Sequence, residues 1–134
     1  AAEEGDRVFD TQHLVMYHMT RDGVVSSTEI GSIRPSAPIQ IEELPDGRLV
    51  LIYTARKLHH TSIDHSRVAY RTSMDSGRTW SDQVLVREDR GGAGQFFNTA
   101  AIEPDGTLLI VLGDNSGINP LLPAQDTLVI RVKP

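Results

Sequence analysis

Nine short segments rich in β-branched residues, a hairpin that recurs 59 residues further on, and the lack of any stretch with a helical apolar period predict an all-β chain. The architecture expected is the β-propeller, built from blades of four antiparallel strands. Strands are expected at 13–19, 24–30, 38–44, 48–54, 67–72, 83–87, 99–103, 107–113 and 127–132. Stretches such as Pro38-Ile39-Gln40-Ile41 and Arg48-Leu49-Val50-Leu51-Ile52-Tyr53 are short, β-branched and closed off by Pro, Gly or Asp.

The repeat orders these strands. The third and fourth are joined by Pro45-Asp46-Gly47, the seventh and eighth by Pro104-Asp105-Gly106. Pro sets φ at the first corner and Gly accepts positive φ, so each tripeptide closes a hairpin between two apolar strands. A fainter echo relates Tyr17-His18-Met19-Thr20-Arg21-Asp22-Gly23, after the first strand, to Tyr70-Arg71-Thr72-Ser73-Met74-Asp75-Ser76-Gly77, after the fifth. Residues 34–90 then make one complete blade, with partial blades at 1–33 and 91–134. That is about two blades in a single unit, although two blades need eight strands and nine are counted.

Between the fifth and sixth strands lies Ser73-Met74-Asp75-Ser76-Gly77-Arg78-Thr79-Trp80, which fits Ser-x-Asp-x-Gly-x-Thr-Trp at every specified position. Asp75 is placed to accept backbone N–H bonds, Gly77 to supply positive φ, and Trp80, the only Trp, to fold back over the turn. The segment resembles the Asp box, or bacterial neuraminidase repeat. These residues are expected to build a rigid hairpin rather than to carry chemistry.

The surroundings extend the resemblance to the first blade of sialidases: Arg34-Pro35, an apolar strand, Pro-Asp-Gly, a strand ending Tyr53-Thr54-Ala55-Arg56, a loop, then the box. The likeness covers 34–87 well and 97–112 loosely. It implies that Arg34 and Arg56 hold a substrate carboxylate and that Asp64 is the loop acid/base. The family's Arg-x-Pro is Arg34-Pro35 here, with no intervening residue. Sialidases use a Tyr–Glu nucleophile pair in place of two carboxylates. Tyr17, Tyr53 and Tyr70 all fall in strand patterns without an obvious Glu partner. Two classes therefore stand side by side: a sialidase-like glycoside hydrolase acting on sialosides, and a noncatalytic, lectin-like carbohydrate-binding propeller.

Blade topology sends the Pro-Asp-Gly turns and the Asp box to one face and the longer loops 30–37, 56–66, 88–98 and 114–125 to the other. The long loops carry His59, His60, Asp114 and Asn115, polar groups able to meet a sugar. His60, Asp64 and His65 have the chemistry of metal ligands, but nothing fixes their geometry in a loop, and no metal or other cofactor is expected. Gly91-Gly92-Ala93-Gly94 lacks the Lys-Ser/Thr and the helix of a nucleotide site. Incomplete terminal blades invite completion by further copies, and three copies would give the six blades of sialidases, with three Arg34 side chains around the axis.

Composition narrows the rest. A net charge of −5 with no basic patch speaks against nucleic acid, and no apolar run approaches the ~18–20 residues of a membrane helix. The absence of cysteine excludes disulfides and thiolate chemistry. The first residues, Ala1-Ala2-Glu3-Glu4-Gly5-Asp6, have neither the basic nor the apolar region of a secretory signal, which suits a cytosolic start or a processed one. An extracellular or periplasmic setting is the expectation.

Overall fold

The computed structural model describes residues 12–33, 37–56, 66–87, 94–114 and 126–134. Every expected strand is among them: β1 (Gln12–Thr20), β2 (Gly23–Ile33), β3 (Ile39–Glu43), β4 (Leu49–Arg56), β5 (Ser66–Ser73), β6 (Val84–Leu85), β7 (Gln95–Ile102), β8 (Leu108–Asp114) and β9 (Asp126–Val132). The fold is all-β, in two antiparallel sheets of six and three strands.

Strands β3, β4, β5 and β6 form a sequential meander, its register marked by Gln40↔Ile52, Ile52↔Tyr70 and Tyr70↔Val84. Strands β7, β8 and β9 make a second meander, the three-stranded sheet. The β1–β2 hairpin joins the first meander by a single pair, Ile33↔Ala55, which raises that sheet to six strands. The hairpin, within the stretch expected as a partial blade, is thus hydrogen-bonded to β4.

Side-chain alternation along β4 shows how the layers stack. Val50 and Ile52 point into a core shared with Val68, Phe97, Leu108, Ile110 and Leu112, under the three-stranded sheet. Leu51, Tyr53 and Ala55 point the other way, into a core shared with Ile30 and Ala69 and flanked by Leu14, Met16 and Ile33 of the hairpin. The order is hairpin, four-strand meander, three-stranded sheet. A strand covered on both faces needs apolar residues at successive positions, which is why Leu49-Val50-Leu51-Ile52-Tyr53 is unbroken. Burial of each such side chain stabilises the fold by about 1.5–3 kcal/mol.

One polar contact registers the two meanders. The Gln40 amide donates to Ala100 O at 2.8 Å and accepts from Ala100 N–H at 2.9 Å, so it behaves like a piece of backbone bridging the layers. The irregularity in β7 between Phe97 and Thr99 lies just before this point. Thr54 Oγ1, fully buried, accepts the Phe97 N–H at 3.0 Å.

The register Leu49↔Ser73 puts the Pro45-Asp46-Gly47 turn and the Asp box at one end of the meander. The second Pro-Asp-Gly turn is beside the first, for a β-carbon at Gly106 would come 3.8 Å from Pro45 Cδ. Gly47 and Gly106 share a φ of +91°, the conformation that the repeated tripeptide requires.

In the box, Asp75 accepts from Thr79 N–H at 2.8 Å, from Thr79 Oγ1–H at 2.5 Å and from Ser73 Oγ–H at 2.8 Å. Those bonds, the Thr79 hydroxyl above all, hold the Asp75 carboxyl down at a pKa of about 2. Gly77, at φ +87°, turns its carbonyl to accept both Trp80 Nε1–H at 3.0 Å and His18 Nε2–H at 3.2 Å. Thr28 donates to Arg78 O, so the box anchors the hairpin as well as its own turn.

Candidate functional site

Opposite the Asp box is the end of the stack where β4, β6 and β8 finish and β5, β7 and β9 begin. The long expected loops leave from here. Arg56 closes β4, as the resemblance implies, and pairs in register with Ser66. Arg34, His59, His60, Asp64 and Asn115 lie outside the described residues.

Asp114 is described, and its position differs from that of an exposed loop ligand. It is the last residue of β8 and only 5% exposed. Leu108, Ile110 and Leu112 face the core, so period two points Asp114 inward as well. There it meets Arg87, whose Nη1 is 3.3 Å from Asp114 Oδ2. Arg87 follows β6 of the first meander and Asp114 ends β8 of the second, so the ion pair ties the layers together at the loop end.

Other polar groups converge at this level. Gln95, fully buried, pairs in register with Asp114 and accepts the Val68 N–H through Oε1 at 3.2 Å. Its Nε2 is buried with no acceptor among the described residues. Ser66 and Arg67 are buried too, with Arg67 Nη1 donating to Ser66 O at 2.8 Å. Asp126, exposed, stands opposite Asp114 at the start of β9. Among the described residues no group of three or more His, Asp or Glu gathers to hold a metal ion.

Chemically, the central element is Arg87. A guanidinium carries its donors in a rigid fork, and a carboxylate on one side orients that fork while leaving donors for a second carboxylate. Arg87 is partly exposed, at 28% of its side chain, so it is within reach of solvent. In the sequence it is the end of an expected strand, and the signal for it is an arginine at the mouth of the 88–98 loop, on the face expected to bind.

The three tyrosines sit elsewhere. Tyr53 is fully buried in mid-strand, its hydroxyl donating to Gln83 Oε1 at 2.6 Å and accepting from Arg71 Nε–H at 2.9 Å. Burial, opposed by the Arg71 hydrogen bond, pushes its pKa up. Tyr70 belongs to the core between the meanders, and burial raises its pKa as well. Tyr17 lies on the open face of the hairpin, opposite Ser27.

No protein-family model matches the chain, and no solved structure matches it.

Proposed function

We propose that the chain is an Asp-box β-propeller unit that binds a carboxylated sugar, of the sialic acid kind, at its loop end. The observation that carries the reading is the Arg87–Asp114 pair: a part-exposed guanidinium, 3.3 Å from a buried carboxylate, at the end of the stack where β4, β6 and β8 finish. The four-strand order of β3 to β6, with the Asp box between β5 and β6, supports the blade reading. Arg34, Arg56, His59, His60 and Asn115 are the further sugar contacts of this proposal, of which Arg56 ends β4 and the others lie outside the described residues.

Hydrolysis of a sialoside, with Asp64 as acid/base, is the second reading, drawn from the resemblance of 34–87 to a sialidase blade. The tyrosines weigh for binding over turnover. Tyr53 and Tyr70 are buried away from the loop end and Tyr17 is on the hairpin, so none is placed as a nucleophile in a single chain.

Two assays separate the readings: turnover of a fluorogenic sialoside and retention on immobilised sialic acid. Retention without turnover is expected. Arg87→Ala should abolish retention, whereas Arg48→Ala, beside Asp46 at the Asp-box end, should not. Turnover that Asp64→Asn removes would establish the hydrolase; absence of both activities would overturn the sugar reading.

A further inference from the structure

The loop end holds a buried donor for which the described residues provide no acceptor. Gln95 opens β7, and its side chain is fully buried. Strand parity sets its direction. Gln95 stands opposite Asp114 and Phe97 opposite Leu112, so all four face the layer between the meanders. There Gln95 Oε1 accepts the Val68 N–H of β5 at 3.2 Å. The Val86 N–H donates to Val68 O at 3.0 Å, but the Val68 N–H turns to the side chain instead of returning to Val86. The Gln95 amide thus sits where the segment after β6 parts from β5.

Its partner fixes which end of that amide donates. A backbone N–H needs an oxygen, so Oε1 faces Val68 and Nε2 faces away; the reverse would set N–H against NH2. Nε2 is buried with no acceptor among the described residues. Buried polar groups are nearly always paired, because an unmade bond forfeits the hydration of the group. Two routes bring Arg87 to the same place. Arg87 follows Val86, which shares Val68 with Gln95, and its Nη1 lies 3.3 Å from Oδ2 of Asp114, the residue opposite Gln95. Arg87 is 28% exposed and Gln95 wholly buried, so Arg87 is the outer group and Gln95 the inner one.

We propose that Gln95 Nε2 and Arg87 together form a carboxylate site: one oxygen of the ligand carboxylate takes the Arg87 guanidinium and the other takes Nε2. The inference rests on the sugar reading above and makes Gln95 the residue that selects a carboxylated ligand over its neutral counterpart. Asp114 already takes one side of Arg87 and is itself an acceptor, so the ligand needs a donor beyond the guanidinium, which Gln95 supplies. The ligand enters past Arg87 with its charged end first. A donor that is already dehydrated and held by Val68 gives up neither water nor rotamer freedom on binding. A ligand without the second anionic oxygen leaves that donor unpaired, which is the physical basis of the selection.

Calorimetric titration with the methyl α-glycoside of sialic acid and with its carboxyl methyl ester tests the site. The wild type should bind the acid more tightly than the ester. Gln95→Glu keeps an oxygen for the Val68 N–H and puts a second oxygen in place of Nε2. It should lower the ratio of acid to ester affinity by about tenfold or more, the worth of a hydrogen bond to a charged group. Gln95→Met removes the donor without adding charge and should lower the ratio in the same direction. Should Gln95→Glu lack a cooperative unfolding transition in urea, Gln95→Met decides alone. A variant that weakens both ligands alike gives Gln95 a structural role only, and one that changes neither leaves Nε2 to an internal water; each overturns the inference and leaves the sugar reading. A wild type that binds acid and ester equally does the same. A wild type that binds neither overturns the sugar reading and the carboxylate site with it.

Discussion

Tyr53→Phe removes one oxygen from the point where β4, β5 and the segment leading into β6 are tied together. That oxygen donates to Gln83 Oε1 at 2.6 Å and accepts from Arg71 Nε–H at 2.9 Å, while Arg71 Nη1 also holds Ser81 O at 3.0 Å. A neutral hydrogen bond contributes about 0.5–1.5 kcal/mol and one to a charged group about 1.5–3 kcal/mol. Gln83 is exposed and can turn to water, and Arg71 keeps Ser81, so the loss should fall near the low end of the sum, about 2 kcal/mol. Urea unfolding of wild type and variant measures it as a lowered midpoint with an unchanged slope. Alkaline pH gives a second check. The folded-state pKa of Tyr53 is raised above the ordinary 10.0, so its contribution is fully present below pH 10 and is lost as pH rises further and the unfolded chain gives up its proton first. The variant should therefore lose less stability above pH 10 than the wild type. A stability change under about 0.5 kcal/mol would refute the hydrogen-bond reasoning. Loss of sugar retention with stability intact would instead make Tyr53 a functional residue.

Two further outcomes follow from the same geometry. Asp75 has a folded-state pKa of about 2 against an ordinary 3.8, so it stabilises fully above pH 4 and the benefit is lost as pH falls toward 2. Asp46 and Asp105, lowered chiefly by the N–H of Arg48 and Thr107, act in the same direction. Asp75→Asn should flatten the acid limb of stability, measured as urea midpoint against pH. Gln40→Ala removes both bonds to the Ala100 backbone and should cost about 1–3 kcal/mol in the same unfolding assay, with sugar retention unchanged.

The legible parts of the fold were those whose causes are local. Each Pro-Asp-Gly turn encodes its own hairpin, and the Asp box ties Asp75 to Ser73 and Thr79 within four residues, so pattern alone locates both. Strand β6 is shorter than its composition suggests. Residues 83–87 have a strand-like composition; Val84 and Leu85 pair with β5 and Val86 N–H still donates to Val68 O at 3.0 Å, while ahead of them Ser81 and Gln83 are engaged by Thr72, Arg71 and Tyr53. Phe97 and Phe96 look alike in sequence, and the one that enters the core is set by the register with Leu112. The candidate site depends on distant pairing. Arg87 and Asp114 are brought together by the stacking of two meanders, which no local motif announces. Asp114 read as a loop residue because of the turn-rich run after it; its parity with Leu108, Ile110 and Leu112 was the signal for an inward side chain.

The claim that the loop end is the binding end is tested most directly by following backbone amide resonances while a sialoside is titrated. Shifts should concentrate at Ser66, Arg87, Gln95, Gly113 and Asp114, with Asp46, Gly47, Gly77 and Gly106 at the opposite end unmoved. Shifts confined to the Asp-box end, or none at sialoside concentrations that saturate retention, would contradict it.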